Sequence, residues 1–309
     1  MGGLLGLLAL ASMAIVMTAP AQAQSAYDVT TRTNIQYAEH DGAKLAGDLY
    51  LPKGLDKAPV LIAVHGGGWQ AGSRASYQYW GPFLAKNGYA VLAISYRLSK
   101  PGAKTYPGAV YDIKAAVQFA RANAAQLGID PDRIGVMGDS AGAHLVALVA
   151  LAGEEPLFSS DYRADPHAAT LANVKAVIGF YGVYDMQAQW QHDQITRPRD
   201  QIAEKFLGVA PMQSRRGYFD ASPMSYATVD KNEKTRTRFL LIHGTHDDIV
   251  DPQTQSQAFL TALKQAGFFA RTIVIPGAGH FFASDPVEEP GSYGAQAAPQ
   301  MLRFLQGAL

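Results

Sequence analysis

The sequence has no cysteine in 309 residues, which excludes disulfides, thiolate metal sites and thiol catalysis. It also lacks a charge bias: 26 Lys and Arg balance 26 Asp and Glu. With no basic run either, nothing favours a nucleic-acid partner. Charge is scarce altogether, at 17% against 48% hydrophobic residues, so the chain is built to bury a large core and not to stay disordered. No Lys or Arg stands before Arg32, so the apolar run over residues 3–17 has no basic flank. That run is nevertheless followed by Ala21-Gln22-Ala23, a small-x-small cleavage pattern, and it is too short for a membrane span. The expectation is a signal peptide over residues 1–23 and a mature chain over 24–309. The mature chain is expected to be exported, periplasmic or secreted, with no membrane span once the leader is removed. The alternative for the run is a buried N-terminal helix.

What the remaining chain does contain is a regular alternation of patterns. Residues 33–51 read as two strands around Asp41-Gly42, a hairpin signal. Apolar runs at 59–64 and 89–98 read as buried strands, with helical spacing between them that stops at Gly88. Val110, Ile113, Val117 and Ala120 fall on one helical face, which Gly128 ends. Further strands are expected at 132–138, 174–182, 238–244 and 270–277, and helices at 141–153, about 253–266 and 295–307. This order predicts one α/β domain: a mostly parallel sheet opening with an antiparallel hairpin, and helices on both faces. Residues from about 183 to 237 break the rhythm. They show no strand pattern and carry Tyr184, Trp190, Phe206, Tyr218, Phe219 and Tyr226. An insertion of this length reads as a lid-like or binding element; the alternative is a helical excursion that touches no substrate.

The chemistry starts where the 132–138 strand gives way to a helix, at Gly138-Asp139-Ser140-Ala141-Gly142. A serine hydroxyl needs an adjacent base to become a nucleophile, and a Gly-x-Ser-x-Gly elbow exposes it on a strained strand-to-helix turn. The glycines are required because side chains there would strike the neighbouring strand and helix. The start of the helix behind Ser140 brings its positive end near a developing oxyanion. His65-Gly66-Gly67-Gly68-Trp69 follows an earlier strand, and consecutive glycines let the backbone turn its amides towards a substrate. Alone they would be a tight turn; paired with the elbow they read as an oxyanion hole. An acid and then a histidine follow the serine in such a chain. Of eight histidines, His280 lies beyond the 270–277 strand in a glycine-rich loop, as the general base should. His65 and His243 each begin an HG turn and read as loop braces. The acid is Asp247 or Asp248, both in the loop after the 238–244 strand, and spacing does not separate them. Asp251, before Pro252, reads as a helix N-cap.

The motifs HGGGW, SYRL, GDSAGAHL, HGTHDDIV and GAGH, in this order and spacing, resemble those of the α/β-hydrolase fold. More narrowly, they resemble the hormone-sensitive-lipase-like carboxylesterases and the related bacterial feruloyl-esterase-like group. The likeness covers residues 35–305. It implies Asp247 as the acid, oxyanion N–H groups from Gly67, Gly68 and Ala141, and no metal or organic cofactor. It makes Arg97 and Asp112 a structural pair near the sheet edge. Trp69, Tyr181 and Trp190 would line an ester pocket or else pack in the core, and Asp139 would turn its side chain away from Ser140. The expected activity is that of a serine carboxylesterase acting on short-acyl or aromatic carboxylic esters through an acyl-enzyme on Ser140. The expected partner is a small-molecule ester. The alternatives are an amide hydrolase of the same fold (an arylformamidase or peptidase) and a catalytically inactive binding protein.

Overall fold

The computed structural model describes Gly2 and residues 27–309; the expected leader otherwise lies outside the described residues. The opening hairpin pairs β1 (Val29–His40) with β2 (Ala43–Pro52). Asp41 and Gly42 between them both take positive φ, 51° and 76°, as a two-residue turn matching the strand twist requires. Six strands follow: β3 (Ala58–Val64), β4 (Ala90–Ile94), β5 (Ile129–Asp139), β6 (Ala176–Phe180), β7 (Arg238–Gly244) and β8 (Ala270–Ile275). They form one sheet in the order β1-β2-β4-β3-β5-β6-β7-β8. β2 runs antiparallel to both its neighbours, and every pair from β4 to β8 is parallel.

Both faces of the sheet are covered, which is why β3 is buried along its whole length. Its alternate residues Val60, Ile62 and Val64 join one core cluster, and Leu61 and Ala63 the other. On the second face lie α1 (Trp80–Lys86) and the C-terminal helix over Tyr293–Ala308, through Trp80, Leu84, Met301 and Leu305. On the first face lie α2 (Gly108–Ala122), the short α3 (Ala124–Leu127) and α4 (Ala141–Ala152). All twelve residues of α4 are buried, the setting that a helix apolar on every side demands.

The segment at 183–237 is helical: α5 (Met186–Thr196), α6 (Ile202–Leu207), α7 (Arg215–Asp220) and α8 (Val229–Thr235). Side-chain caps from Asp185, Ser214 and Thr228 start three of these helices. α9 (Ala258–Gln265) continues from a π turn over Gln253–Gln257, and the C-terminal helix is α10.

Topology sets where chemistry gathers. From β3 the chain turns to β4 on one side and later returns to β5 on the other. Such a reversal opens a crevice at the carboxyl ends of the two adjacent strands. The HGGGW loop leaves β3 and Ser140 leaves β5, with Val64 and Gly138 paired just beneath them. β7 and β8, also neighbours, send the Asp247 and His280 loops to the same end.

At the hairpin end of the sheet the expected Arg97–Asp112 pair is present, with Nε and Nη2 of Arg97 at 2.9 and 2.7 Å from the two carboxylate oxygens. A buried histidine that the sequence did not flag completes it. His40 Nδ1 lies 2.6 Å from Asp112 and Nε2 lies 2.7 Å from Asp165. Ionised carboxylates only accept, so both ring nitrogens carry protons and His40 is an imidazolium. Burial alone would lower its pKa, but the two carboxylates outweigh burial and raise it above 6.5. Arg97, 3.5 Å from Nδ1, and the stacked Tyr162 ring are its other neighbours. A raised folded-state pKa gives stability that is complete below the unfolded value and is lost as pH rises through the folded one. The melting temperature is therefore expected to decline as the buffer is taken above about pH 6.5. In His40→Gln, less stable throughout, that decline should be shallower; parallel curves for the two proteins would rule out His40 as its source.

Candidate active site

Ser140 sits between the last residue of β5 and the first of α4 at φ 51° and ψ −118°. A side-chain-bearing residue at this kind of angle stores about 1–3 kcal/mol of strain, held by its surroundings. The holding contacts are specific. The Ser140 N–H donates to the Phe180 carbonyl at 2.9 Å, anchoring the turn to β6. A Cβ on Gly138 would stand 2.4 Å from the Gly142 backbone, and one on Gly142 would stand 1.9 Å from the Val64 carbonyl oxygen. The turn is as tight as two missing side chains allow.

His280 Nε2 lies 3.0 Å from Ser140 Oγ, and its Nδ1 lies 2.8 Å from Asp247 Oδ2. The other Asp247 oxygen accepts the N–H groups of Ile249 and Val250, each at 3.0 Å. Those bonds fix the carboxylate in its accepting form, so the imidazole carries its proton on Nδ1 and offers Nε2 to the serine hydroxyl. The carboxylate on His280 is thus that of Asp247. Asp248 is exposed, and its backbone carbonyl accepts from His192 Nε2 at 2.9 Å. Asp251 accepts from the Thr254 N–H at 3.0 Å, in the capping position.

The N–H groups of Gly67 and Gly68 donate to no backbone acceptor among the described residues. They line one pocket with Ser140 and Ala141, whose own N–H opens α4 and so has no acceptor within the helix. The Gly67 carbonyl in turn accepts from Gln70 and Ala71 at 3.1 and 3.0 Å, holding the loop in a turn. Trp69 is fixed from two sides. Its indole N–H donates to His144 Nδ1 at 3.2 Å, and its ring stacks on Phe206 of α6 at 4.5 Å. His144 Nε2 donates to the Ala221 carbonyl at 2.7 Å, and burial lowers its pKa to about 4, so it is neutral. In the sequence His144 is marked only as one polar residue in an otherwise apolar helix.

The three aromatics expected at the pocket separate. Trp69 lines it along one edge. Tyr181 instead packs 4.4 Å from the His280 ring and accepts the Ala283 N–H at 3.2 Å, bracing the histidine loop from beneath. Trp190 faces α6, where it donates to Glu204 at 2.6 Å. Neither lines the pocket, and each is held by a partner of its own. Asp139 turns to the Tyr77 hydroxyl at 3.1 Å, and burial raises its pKa to about 6. His65 donates to the Gly66 carbonyl at 2.8 Å, with burial lowering its pKa to about 4.

The pocket encloses about 200 Å³. Val183, Ile202, Ile249 and Val250 give it apolar walls, and Gln70, Gln189 and Arg197 a polar one. Gln189, Arg197 and Ile202 come from the 183–237 segment and were not legible in the sequence: Gln189 and Arg197 are polar residues in and just after the weakly patterned α5, and Ile202 opens the short α6. A cavity of about 220 Å³ beside His40, Lys114 and Tyr162 shares no residue with it. Among the described residues no cluster of three or more His, Asp or Glu is placed to hold a metal ion, and no helix is long and apolar enough to cross a membrane.

Several known proteins are similar to the chain over most of its length. Esterase LipQ of Mycobacterium tuberculosis is 34% identical over 233 residues, 73% of this chain and 51% of its own length. Esterase LipC of the same organism is 35% identical over 236 residues, again 73% of this chain and 53% of its own length. The chain thus spans about half the length of the curated relatives it matches. A solved truncated form of a carbohydrate esterase from gut microbiota superposes with a TM-score of 0.72 at 27% identity, covering 93% of this chain and 98% of that one. The model of the BD-FAE family matches residues 47–263, the stretch that holds the HGGGW loop, Ser140 and Asp247. On a match of that extent the chain belongs to the BD-FAE family, among the hormone-sensitive-lipase-like and feruloyl-esterase-like α/β-hydrolases.

Proposed function

We propose that the chain is an exported serine carboxylesterase that hydrolyses short-acyl carboxylic esters through an acyl-enzyme on Ser140. The observation that carries this reading is the line Ser140 Oγ, His280, Asp247, joined by contacts of 3.0 and 2.8 Å. His280 accepts the serine proton as Oγ attacks the ester carbonyl, and Asp247 stabilises the imidazolium that forms. The oxyanion is met by the Gly67, Gly68 and Ala141 amides. Collapse expels the alcohol, which takes the proton from His280, and water then repeats the sequence on the acyl-enzyme. A pocket of about 200 Å³ is small beside the ~300–1,000 Å³ of drug-sized sites, which supports a short acyl group over a long one. The names of LipQ and LipC as esterases support the reaction class. Export rests on the apolar run and the Ala21-Gln22-Ala23 pattern alone.

A graded series from p-nitrophenyl acetate to decanoate, with methyl ferulate and an acetylated sugar alongside, tests the proposal. Turnover is expected to fall with acyl length, and a fluorophosphonate is expected to label Ser140. Labelling without turnover of any ester would move the assignment to amides. Absence of both would leave a binding protein.

A further inference from the structure

The pocket has a rim with its own character. Phe281, next to His280, is 58% exposed and held at φ 73°. A bulky residue at positive φ is an outlier that the surrounding fold must enforce. Here it leaves an aromatic ring in solvent at the pocket wall, edge-on to His280 at 4.6 Å. To the same pocket the 183–237 segment contributes Arg197, whose backbone N–H is bound to the Asp193 carbonyl at 2.8 Å. Its guanidinium pairs with Asp200 through Nη2, and the side chain remains 30% exposed. A guanidinium has five N–H donors, and Asp200 is its only carboxylate partner among the described residues. Beside it Gln189, 3% exposed, spends its amide nitrogen on Asp193 and the Ile249 carbonyl, both at 2.9 Å. Its Oε1 is left with no partner among the described residues.

Arg197 with free donors, the buried Gln189 amide and the exposed Phe281 ring all line this one pocket. The geometry points to an ester whose alcohol part is a carboxylate-bearing sugar, a uronate. Its carboxylate would lie on Arg197, its ring face on Phe281, and its short acyl group in the pocket beside Ser140. This rests on the esterase reading above and adds the alcohol to it. The guanidinium donors not spent on Asp200 match a second carboxylate in shape and charge, and a neutral sugar would leave them unused.

Two measurements separate the inference from the reading beneath it. The first compares kcat/KM for an O-acetylated methyl galacturonide and the corresponding acetylated methyl galactoside, with p-nitrophenyl acetate as the reference ester. The acidic sugar ester is expected to be preferred by about tenfold or more, from one charge-assisted contact. In Arg197→Gln, shown to be folded by its melting curve, the ratio is expected to fall towards one, while Arg197→Lys keeps part of it. A ratio near one in the unaltered protein, or an undiminished ratio in Arg197→Gln, overturns the inference. So does hydrolysis of p-nitrophenyl acetate with neither sugar ester touched. The second measurement is calorimetric binding of galacturonate and of galactose to the Ser140→Ala protein, which needs no turnover. Tighter binding of galacturonate supports the subsite even if the esterase reading fails, and equal or absent binding refutes it.

Discussion

Ser140→Ala is expected to lower ester turnover by roughly 10⁵- to 10⁶-fold, the scale seen when the nucleophile of a serine triad is removed. The side-chain oxygen is what His280 Nε2 meets at 3.0 Å, so its loss leaves the base without a proton to take. The oxyanion amides and the pocket are untouched, and they sustain a residue of about 10³-fold over water. The fold should not suffer. The Ser140 backbone stays tied to Phe180, and alanine is no larger at the same φ. The check is kcat on p-nitrophenyl acetate together with fluorophosphonate labelling and a melting curve. Near-normal turnover by a folded, unlabelled protein would mean that another residue carries the reaction.

Gly142→Ala should fail differently, by folding badly. The added Cβ would stand 1.9 Å from the Val64 carbonyl oxygen and 2.7 Å from that of His65. Neither atom is the end of a flexible side chain. Val64 closes β3, a central strand bonded to β4 and β5, so relief requires moving α4 off the sheet or breaking the strand. Overpacking of ordinary cores costs about 1–3 kcal/mol, occasionally more; with backbone on both sides we expect a loss above about 3 kcal/mol. Low soluble yield or a melting temperature far below the parent would show it. Gly307→Ala is the comparison, since its nearest foreign atom is the Arg238 guanidinium at 3.6 Å near the end of α10. Helix propensity then favours alanine, and that variant should melt at or above the parent. Equal stability of the two variants would sink the argument from crowding.

The parts of this site that could be read from the chain are those written locally. A strand, a turn with forced glycines and an apolar helix follow one another within residues 129–152, so Ser140 announces itself. His280 is marked by a strand before it and a glycine on its near side. Asp247 and Asp248 are neighbours in one loop, and only the N–H groups of Ile249 and Val250 distinguish them in space. Chain order says nothing about which of two adjacent carboxylates a turn will capture. The opening hairpin was legible from its alternation around a turn, and the central strands from short continuous apolar runs that burial on both faces leaves in the sequence. α5 leaves almost none, burying Met186, Gln189 and Asp193 only, so the pocket residue it carries, Gln189, was hidden. His40 was invisible for another reason: its partners Asp112 and Asp165 are 72 and 125 residues away.

One contact has a bearing on how this enzyme family can be altered. Trp69, the residue after the oxyanion glycines, rests on Phe206 and reaches the Ala221 carbonyl through His144. Phe206 and Ala221 both belong to the segment that supplies Gln189, Arg197 and Ile202 to the pocket. That segment is therefore no interchangeable cassette. A chimera that imports it from a relative changes the bed on which the indole lies, and with it the aim of two backbone amides. On the esterase reading proposed above, choice of substrate and speed of reaction would be inherited together.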